Sequence, residues 1–235
     1  MVKITELQKI FDQKLVLEIE HLTINTNEAW GLVGNNGAGK TTLFRAILDL
    51  IKLNRGSVTI NGEGVATSEN WKQIIGSYLD DSFLVPYLTP EEHFKFVASA
   101  YNISKETLTT RLNLFKDFFF DEILGQKKYI RTFSQGNKRK IGIASAILVS
   151  PKILILDEPF ANLDPRSQYH LVRLLNDIKE ERNTTVLISS HDLNHITSIC
   201  DRIVLLEKGK VIQDIEVDIS TLKVLESYFS LDKYA

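Results

Sequence analysis

The stretch that decides the fold is a glycine-rich loop that ends in lysine and threonine, Gly34-Asn35-Asn36-Gly37-Ala38-Gly39-Lys40-Thr41-Thr42. It follows an apolar run from Trp30 to Val33 and precedes apolar residues at helical spacing. The pattern Gly-x-x-x-x-Gly-Lys-Thr between a buried strand and a helix predicts a phosphate-binding loop. A glycine-rich turn that binds nothing is the alternative, and the strand before the loop and the helix after it argue against that alternative.

Each part of this loop has a physical reason to bind phosphate. Glycines allow successive backbone N–H groups to curl around an anion, where side chains would collide with it. The helix that begins after the loop points its positive end at the same anion. The Lys40 ammonium adds a point charge, and the Thr41 hydroxyl is suited to bind a magnesium ion.

Length and composition are those of an ordinary globular chain. It has 235 residues, 43% of them hydrophobic and 25% charged, which fits one large domain. The net charge of −2 gives no basic field, so we expect no nucleic-acid partner. The single cysteine, Cys200, excludes an intramolecular disulfide framework and fits a reducing cytoplasm. No run approaches the ~20 apolar residues that cross a bilayer, and residues 1–6 lack the apolar core of a signal peptide. We therefore expect any membrane role to depend on a partner.

The rest of the chain alternates between strand and helix patterns, with one interruption. Residues 3–24 predict two strands, and Ala29–Val33 predicts a third that is apolar on both faces and therefore central in a parallel sheet. Residues 80–128 are instead helical and rich in aromatic side chains, which predicts a helical insertion within an α/β domain. Strand–helix alternation then resumes, and the tail from residue 220 has helical character.

A second motif places two acids at the end of a buried strand, Ile153-Leu154-Ile155-Leu156-Asp157-Glu158-Pro159. Open α/β sheets bind ligands at the carboxyl ends of their strands. Asp157 is suited to hold magnesium together with Thr41, and Glu158 is suited to polarise an attacking water. A strand that ends in solvated acids is the alternative, and the phosphate-binding loop in the same chain argues against it.

The order of the motifs resembles that of ABC-transporter nucleotide-binding domains. The motifs are the phosphate-binding loop, Phe133-Ser134-Gln135-Gly136-Asn137, Asp157-Glu158-Pro159, Asn162-Leu163-Asp164 and His191. The resemblance covers residues 2–211 and implies an α/β fold, a P-loop NTPase (RecA-like) core with an N-terminal antiparallel β-subdomain and an inserted α-helical subdomain. It implies a single ABC ATPase domain over residues 1–235. Residues 1–80 and 141–213 would form the β-subdomain and the core, 81–140 the helical subdomain with the signature motif, and 214–235 a helical tail.

The same resemblance implies the roles of individual residues in an ATP and Mg²⁺ site. Residues Gly34 to Thr42 bind ATP, and Lys40, Glu158 and His191 form the catalytic set, with His191 touching the γ-phosphate. Mg²⁺ is held by Thr41, Asp157 and Asp80, and the neighbouring Asp81 is an alternative to Asp80. Phe11 stacks on adenine, or else it is an ordinary residue of a strand.

A further set of residues is implied to act on the ATP of an opposite subunit: Ser134, Gln135, Gly136, Asn137 and Asp164. The first four resemble a variant of the family signature Ser-Gly-Gly-Gln, and Gln135 stands where the family has glycine. This departure bears on the ATPase rate more than on ATP binding. Asp164, before Pro165, also fits an ordinary helix N-cap. Of the three basic residues that follow, Lys138 to Lys140, we expect at least two to form a solvated face.

The function implied is an ATP-binding and ATP-hydrolysing subunit that dimerises on ATP, as a homodimer or with another ABC ATPase. It would drive transport, in the export direction, through a separate integral-membrane subunit, and lie in the cytoplasm at the inner face of the cell membrane. Phe83 and Tyr87 are candidate anchors for that subunit, while most other rings of the helical segment fill its core. The alternatives are an ATP-binding regulator with little hydrolysis, favoured by Asp80 and Gln135, and a soluble ABC ATPase outside transport.

Overall fold

The computed structural model describes the backbone of residues 1–231 and the side chains of all of these except Arg182, Ser230 and Leu231. The β-strands in this range are β1 Val2–Phe11, β2 Lys14–Ile24, β3 Ala29–Val33, β4 Arg55–Ile60, β5 Glu63–Gly64, β6 Ile75–Tyr78, β7 Ile153–Asp157, β8 Thr185–Ser190, β9 Arg202–Glu207 and β10 Lys210–Glu216. The α-helices are α1 Lys40–Ile47, α2 Pro90–Ala100, α3 Lys105–Asn113, α4 Lys116–Phe119, α5 Gln135–Leu148, α6 Pro165–Arg182, α7 Leu193–Ile199 and α8 Thr221–Leu231. The last four residues of the predicted helical tail, 232–235, lie outside the described residues.

The strands form two sheets. One is antiparallel, with the order β2-β1-β4-β5, and the other has six strands in the order β10-β9-β3-β8-β7-β6. In the larger sheet only the β9–β10 pair is antiparallel, and the turn at Lys208-Gly209 connects these two strands. All five residues of β3 are buried, and β3 lies between β9 and β8. The prediction that Ala29–Val33 is a central strand of a parallel sheet is therefore confirmed, as is the α/β fold class.

The two faces of the six-stranded sheet pack into separate layers of core. Side chains alternate along a strand, so Trp30 and Leu32 of β3 face one way while Ala29 and Val33 face the other. The first pair packs in a cluster with the antiparallel sheet and α1, and the second pair packs in a cluster with α5, α6 and α7. This arrangement leaves the carboxyl edge of the parallel strands between the two layers.

The helical segment begins with the signals that the sequence provides. Thr89 and Glu92 form a reciprocal capping box at the start of α2 with Pro90 in the first turn, and Ser104 caps α3. Four aromatic rings of this segment are buried and pack in one group with ring centroids 5.6–6.2 Å apart: Phe94, Phe115, Phe118 and Phe119. Phe83 and Tyr87 are exposed.

Two of the predicted subdomain boundaries fall inside elements. The division between residues 140 and 141 falls inside α5, and β10 continues to Glu216, beyond the predicted start of the tail at 214. Helix α5 also packs directly on the core sheet, since a Cβ on Gly142 would lie 2.1 Å from the ring of Tyr78 on β6. The signature motif thus lies at the start of a helix that itself packs on the core sheet.

A buried histidine on α2 gives the fold a pH dependence. His93 is 1% exposed, and neither ring nitrogen has a hydrogen-bond partner in the described part of the chain. Burial lowers the pKa of His93, whereas the unfolded chain protonates this ring near pH 6.5. Between the lowered folded pKa and the unfolded pKa, the unfolded state binds more protons. The free energy of unfolding therefore falls as the pH falls through about 6.5.

We expect His93→Leu to weaken this pH dependence. Urea unfolding at about pH 8 and about pH 5.5 should show a smaller loss of unfolding free energy in the variant than in the wild type. His21→Leu is the control, because His21 is exposed on β2, and its pH dependence should follow the wild type. Equal losses in the wild type and His93→Leu would contradict the assignment.

Candidate active site

The register of the parallel strands brings three strand ends to one edge of the sheet. Val33 at the end of β3 pairs with Ser190 of β8, and Asp157 at the end of β7 pairs with Ser189 of β8. The residues that follow these strands are the start of the phosphate-binding loop, the second acid and the predicted switch histidine: Gly34, Glu158 and His191. The structure therefore groups the two strongest motifs of the sequence in one place.

The phosphate-binding loop has the backbone that its glycines predict. Gly37 and Gly39 have φ angles of 83° and 109°, in the left-handed region that other residues avoid. Gly34 is required for a different reason, because a Cβ there would lie 2.3 Å from the carbonyl oxygen of Leu206. The loop and the first residues of α1, Asn35 to Thr42, line a cavity of about 270 Å³ together with Val16 and Glu158. The cavity is thus walled by the N-terminal end of a helix and one carboxylate.

The Glu158 carboxylate lies between a lysine and a histidine. The Lys40 ammonium, 7% exposed, donates to the carbonyl oxygen of Gly34 at 2.6 Å and lies 3.3 Å from Oε1 of Glu158. That oxygen is buried and has no hydrogen-bond partner among the residues that the structure describes, so its main partner is the charge on Lys40. The other oxygen, Oε2, is 2.8 Å from Nδ1 of His191. The three predicted catalytic side chains are therefore in direct contact.

Asp157 is buried beside the phosphate-binding loop. It accepts short hydrogen bonds from the hydroxyl groups of Thr41 and Ser189. Burial raises the pKa of Asp157, and the hydrogen bonds from Ser189 and Thr41 oppose that shift. Because burial disfavours the charged form of this carboxylate, a cation beside it would stabilise that form.

The donor set of Asp157 and Thr41 fits Mg²⁺. Both offer oxygen, which Mg²⁺ prefers, and Mg²⁺ commonly takes one or two protein ligands while keeping waters and substrate phosphates. Among residues 1–231 no group of three or more His, Cys, Asp or Glu side chains forms a metal cage. The pair therefore suits an ion that arrives with a nucleotide.

The backbone of Glu158 is held at both ends. Its φ of 46° is left-handed, a conformation that costs a non-glycine residue about 1–2 kcal/mol. Its N–H donates to the Ser189 hydroxyl at 2.9 Å, and its carbonyl oxygen accepts from the N–H of Ala161 at 3.2 Å and from the Arg139 guanidinium. The sequence predicted neither Ser189 nor Arg139. Ser189 could have been found from its position, because it lies two residues before His191 on the strand that pairs with Asp157. No feature of the sequence identifies Arg139.

The predicted trans residues lie at the starts of two helices. Ser134 caps α5 by accepting from the N–H of Asn137 at 3.2 Å, and Asp164 caps α6 by accepting from the N–H of Ser167 at 3.0 Å. Ser134, Gln135 and Asp164 are exposed. None of these residues lines the cavity of the phosphate-binding loop. A contact with ATP from the opposite subunit stays a prediction for all five.

The expectation of a solvated basic face at residues 138–140 is wrong. Lys140 is 2% exposed, lies 3.7 Å from Glu122 and points at the ring of Phe120 at 4.6 Å from its centroid. Arg139 binds the Glu158 carbonyl. Only Lys138 is left without an ion pair or side-chain hydrogen bond in the described residues. The sequence could not show this, because the partners lie in segments far away along the chain.

Asp80 and its neighbour make other contacts in this arrangement. The Asp80 carboxylate accepts from the N–H of Ser82 at 2.9 Å and from its hydroxyl, and lies 3.3 Å from the Arg45 guanidinium. Hydrogen bonds from Ser82 lower the pKa of Asp80. Asp81 accepts from the Tyr78 hydroxyl at 2.7 Å. Neither acid lines the cavity, and the predicted contact of Asp80 with Mg²⁺ stays a prediction.

Phe11 is the last residue of β1, and 42% of its surface is exposed. The Lys9 ammonium lies 4.3 Å from the centre of its ring. An exposed ring is suited to stack on a base, but Phe11 does not line the cavity of the loop. Its role also stays a prediction.

The fold and the grouped side chains define a phosphate-loop nucleotide-binding protein of the α/β class. The model of the ABC transporter family matches residues 17–161, more than half of the chain. The chain belongs to the ABC transporter family, and it is an ATP-binding cassette of the ABC ATPase type.

Three relatives illustrate the range of this similarity. The bacitracin transport ATP-binding protein BcrA of Bacillus licheniformis is 35% identical over 93% of this chain and 70% of its own length. The lantibiotic transport ATP-binding protein SrtF of Streptococcus pyogenes is 31% identical over 93% of this chain and 92% of its own length. The methionine import ATP-binding protein MetN 2 of Oceanobacillus iheyensis is 31% identical over 92% of this chain and 66% of its own length.

Solved structures agree in fold over nearly the whole chain. The structure of an ATP-binding subunit of an ABC transporter superposes with a TM-score of 0.87 at 29% identity, covering 99% of both chains. A dimeric ATP-binding cassette in a post-hydrolysis state, bound to ADP and Pi, superposes with a TM-score of 0.81 at 25% identity, covering 93% of this chain and 99% of the other. Within residues 1–231, no helix combines the length and the apolar character needed to span a bilayer.

Replacing Phe11 by alanine tests its predicted contact with adenine. Base–aromatic stacking is worth about 1–3 kcal/mol, so Phe11→Ala should raise the Kd for ATP about tenfold, while Phe11→Tyr should retain wild-type affinity. Titration with a fluorescent ATP analogue measures this. Leu15→Ala is the matched control, because Leu15 on β2 is also 42% exposed. An unchanged Kd in Phe11→Ala would favour the alternative of an ordinary strand residue.

Proposed function

We propose that this ATP-binding cassette is the ATP-hydrolysing subunit of a transporter, in which it dimerises on ATP and drives transport through a separate integral-membrane subunit. It would act in the cytoplasm, at the inner face of the cell membrane. The observation that carries the proposal is the contact of the Glu158 carboxylate with both Lys40 and His191, next to the pair of Thr41 and Asp157. ATP hydrolysis needs these side chains in one place, whereas ATP binding alone does not need Glu158 and His191 there.

The residues divide the work of hydrolysis among them. Lys40 and the N–H groups of the loop neutralise the outer phosphates, and Glu158 accepts a hydrogen bond from the attacking water and orients its oxygen toward the γ-phosphorus. The bond to the β-phosphate then breaks, giving ADP and phosphate. Thr41 and Asp157 would hold Mg²⁺, which would supply positive charge to neutralise the phosphates. His191 holds the Glu158 carboxylate in place and offers a second contact to the γ-phosphate.

The dimer we propose is head-to-tail, with each γ-phosphate between the Lys40 loop of one subunit and the signature helix of the other. Two features support this arrangement. Ser134 is exposed at the N-terminal end of α5, where a helix favours an anion, and a related cassette is dimeric in a structure with ADP and Pi. Such closure depends on the γ-phosphate, so hydrolysis would reverse it. The subunits would be identical or paired with another ABC ATPase.

For the direction of transport we propose export. The names of two relatives refer to transport of bacitracin and of a lantibiotic, and that of a third to import of methionine, so names alone do not decide it. The acid at position 80, where the family normally has glutamine, is the feature of this chain that favours the exporter type. This part of the proposal is an analogy between families of sequences.

A second candidate is an ATP-binding regulator with little hydrolysis. It is favoured by Gln135, which stands where the signature has glycine, and by Asp80, which is engaged by Ser82 and Arg45. A phosphate-release assay on the purified chain separates the two. Steady release of phosphate from ATP supports the enzyme, and tight binding without release supports the regulator.

Glu158→Gln tests the proposed role of the acid. The amide cannot act as a base toward water but keeps the size of the side chain, so we expect turnover to fall at least about a hundredfold. ATP binding should persist, and a dimer should accumulate on ATP in size-exclusion chromatography. Glu20→Gln, an exposed acid on β2, should behave as the wild type. Normal phosphate release from Glu158→Gln would show that Glu158 does not have this role.

The docking of a membrane subunit is tested at two exposed aromatic residues. Phe83 and Tyr87 are 38% and 64% exposed, and aromatic residues are frequent anchors of interfaces. When the chain is co-expressed with a candidate multi-span membrane subunit, Phe83→Ala/Tyr87→Ala should reduce co-purification about tenfold or more. Phe96→Ala is the control, since Phe96 is also exposed, at 58%, and lies outside this pair, on α2. Equal recovery of the complex from all variants would exclude this surface.

A further inference from the structure

The peptide backbone of Glu158 is held by hydrogen bonds from two elements in different parts of the fold, strand β8 and helix α5. On the amino side, its N–H donates to the hydroxyl of Ser189 at 2.9 Å and to the Ser189 carbonyl at 3.2 Å, both on β8. On the carbonyl side, the oxygen accepts from the N–H of Ala161 at 3.2 Å and from Nη1 of Arg139 on α5. Of these hydrogen bonds, only the one from Arg139 comes from the signature helix α5.

The first turns of α5 lie directly on the loop that carries Glu158. A Cβ on Gly136 would be 2.7 Å from the carbonyl oxygen of Asn162, so the helix and the loop touch without a side chain between them. Arg139 is three residues later on the same helix and therefore on the same face. That face contacts residues 158–162 at both ends, at Glu158 through a hydrogen bond and at Asn162 through close packing.

The Glu158 backbone needs such support. Its φ of 46° is in the left-handed region, which a residue with a side chain occupies only when its surroundings hold it there. The direction of the carboxylate depends on this backbone, since Oε1 must reach Lys40 and Oε2 must reach His191. A relaxed backbone would point the carboxylate away from both.

We propose that Arg139 is a positioning residue for ATP hydrolysis, which holds the backbone of Glu158 to the signature helix and so fixes the direction of its carboxylate. Movement of α5 is thereby passed to the water-orienting acid of the same subunit. Since Ser134 at the start of α5 is the proposed contact to the other subunit's ATP, Arg139 connects one ATP site to the other. This inference rests on the proposed role of Glu158 in hydrolysis.

The guanidinium is suited to this task in ways that other side chains are not. It carries several N–H donors in a fixed plane and stays charged at every physiological pH, so its bond to a carbonyl oxygen is charge-assisted. Lysine offers a donor of similar charge from a shorter, more mobile group. Methionine matches the length of the aliphatic part of arginine and donates nothing.

The test compares Arg139→Met and Arg139→Lys with the wild type in steady-state ATP hydrolysis. Loss of one charge-assisted hydrogen bond that sets the catalytic geometry should lower kcat about tenfold in Arg139→Met. KM for ATP should stay within about twofold, because the phosphate-binding loop is untouched. Arg139→Lys should recover part of kcat. A thermal unfolding midpoint near the wild-type value shows that Arg139→Met is folded.

Lys138→Met is the matched control. Lys138 is the preceding residue of α5, is half-buried like Arg139, and carries the same charge, but makes no ion pair or side-chain hydrogen bond within the described residues. Its kcat should stay within about twofold of the wild type. If Arg139→Met does not fold, Arg139→Lys carries the test, with kcat lowered about threefold at unchanged KM.

Two results would overturn the inference: a kcat of the Arg139 variants equal to that of the wild type, or a raised KM with unchanged kcat, which would make Arg139 a nucleotide-binding residue. Failure of the proposed function is distinguishable from either. It is seen as no phosphate release by the wild type, or as normal release by Glu158→Gln. An inactive Glu158→Gln beside a fully active, folded Arg139→Met would overturn the present inference alone.

Discussion

The parallel pairing of β3, β8 and β7 determines where every candidate catalytic group lies. Each of these strands ends in a different motif, and the ladder sets their ends level, with Val33 opposite Ser190 and Asp157 opposite Ser189. A shift of one residue in this register would turn every side chain of the shifted strand to the other face of the sheet. Such a shift is opposed by two layers of core, which bury the alternating side chains on both faces.

Charge balance explains why these groups tolerate one another at the sheet edge. Two carboxylates, Asp157 and Glu158, lie near a single lysine, and burial raises the pKa of Asp157. The hydroxyl groups of Thr41 and Ser189 donate to the oxygens of Asp157, while the charge on Lys40 faces one oxygen of Glu158 and His191 contacts the other. A divalent cation beside Asp157 would complete the balance when the phosphates of ATP arrive. The arrangement is thus suited to binding a cation and an anion together.

Much of this architecture was predictable because its signals are local. The phosphate-binding loop, the central strand Ala29–Val33, the capping box at Thr89 and the acids after β7 each depend on a short run of residues with a known conformation. The predicted subdomain boundaries are less informative, since α5 runs across the one placed at residue 140 without a break.

What the sequence could not provide depends on contacts between distant segments. Residues 138–140 look like a solvated basic face, yet Lys140 is buried near Glu122 and Arg139 binds the Glu158 carbonyl. A basic residue on a helix has the same local pattern whether it faces water or a carbonyl 19 residues away. Likewise, Asp80 carries no local sign that it would meet Arg45, 35 residues away in the chain. The wrong and missing predictions concern which side chains contact one another, and those contacts are set by tertiary packing.

The signature helix therefore has two physical tasks that constrain its sequence differently. Its N-terminal end must stay exposed if Ser134 is to meet an anion from outside, which favours small polar residues there. The inner side of the same turn must fit closely on the loop of Glu158, which requires glycine at 136, because any side chain would meet the Asn162 carbonyl. Gln135 lies between these demands and is exposed, so its bulk adds to the outer surface and leaves the inner contact unchanged. In the proposed head-to-tail dimer, the departure from the family signature would therefore act on closure between subunits, while the support of Glu158 within one subunit is preserved.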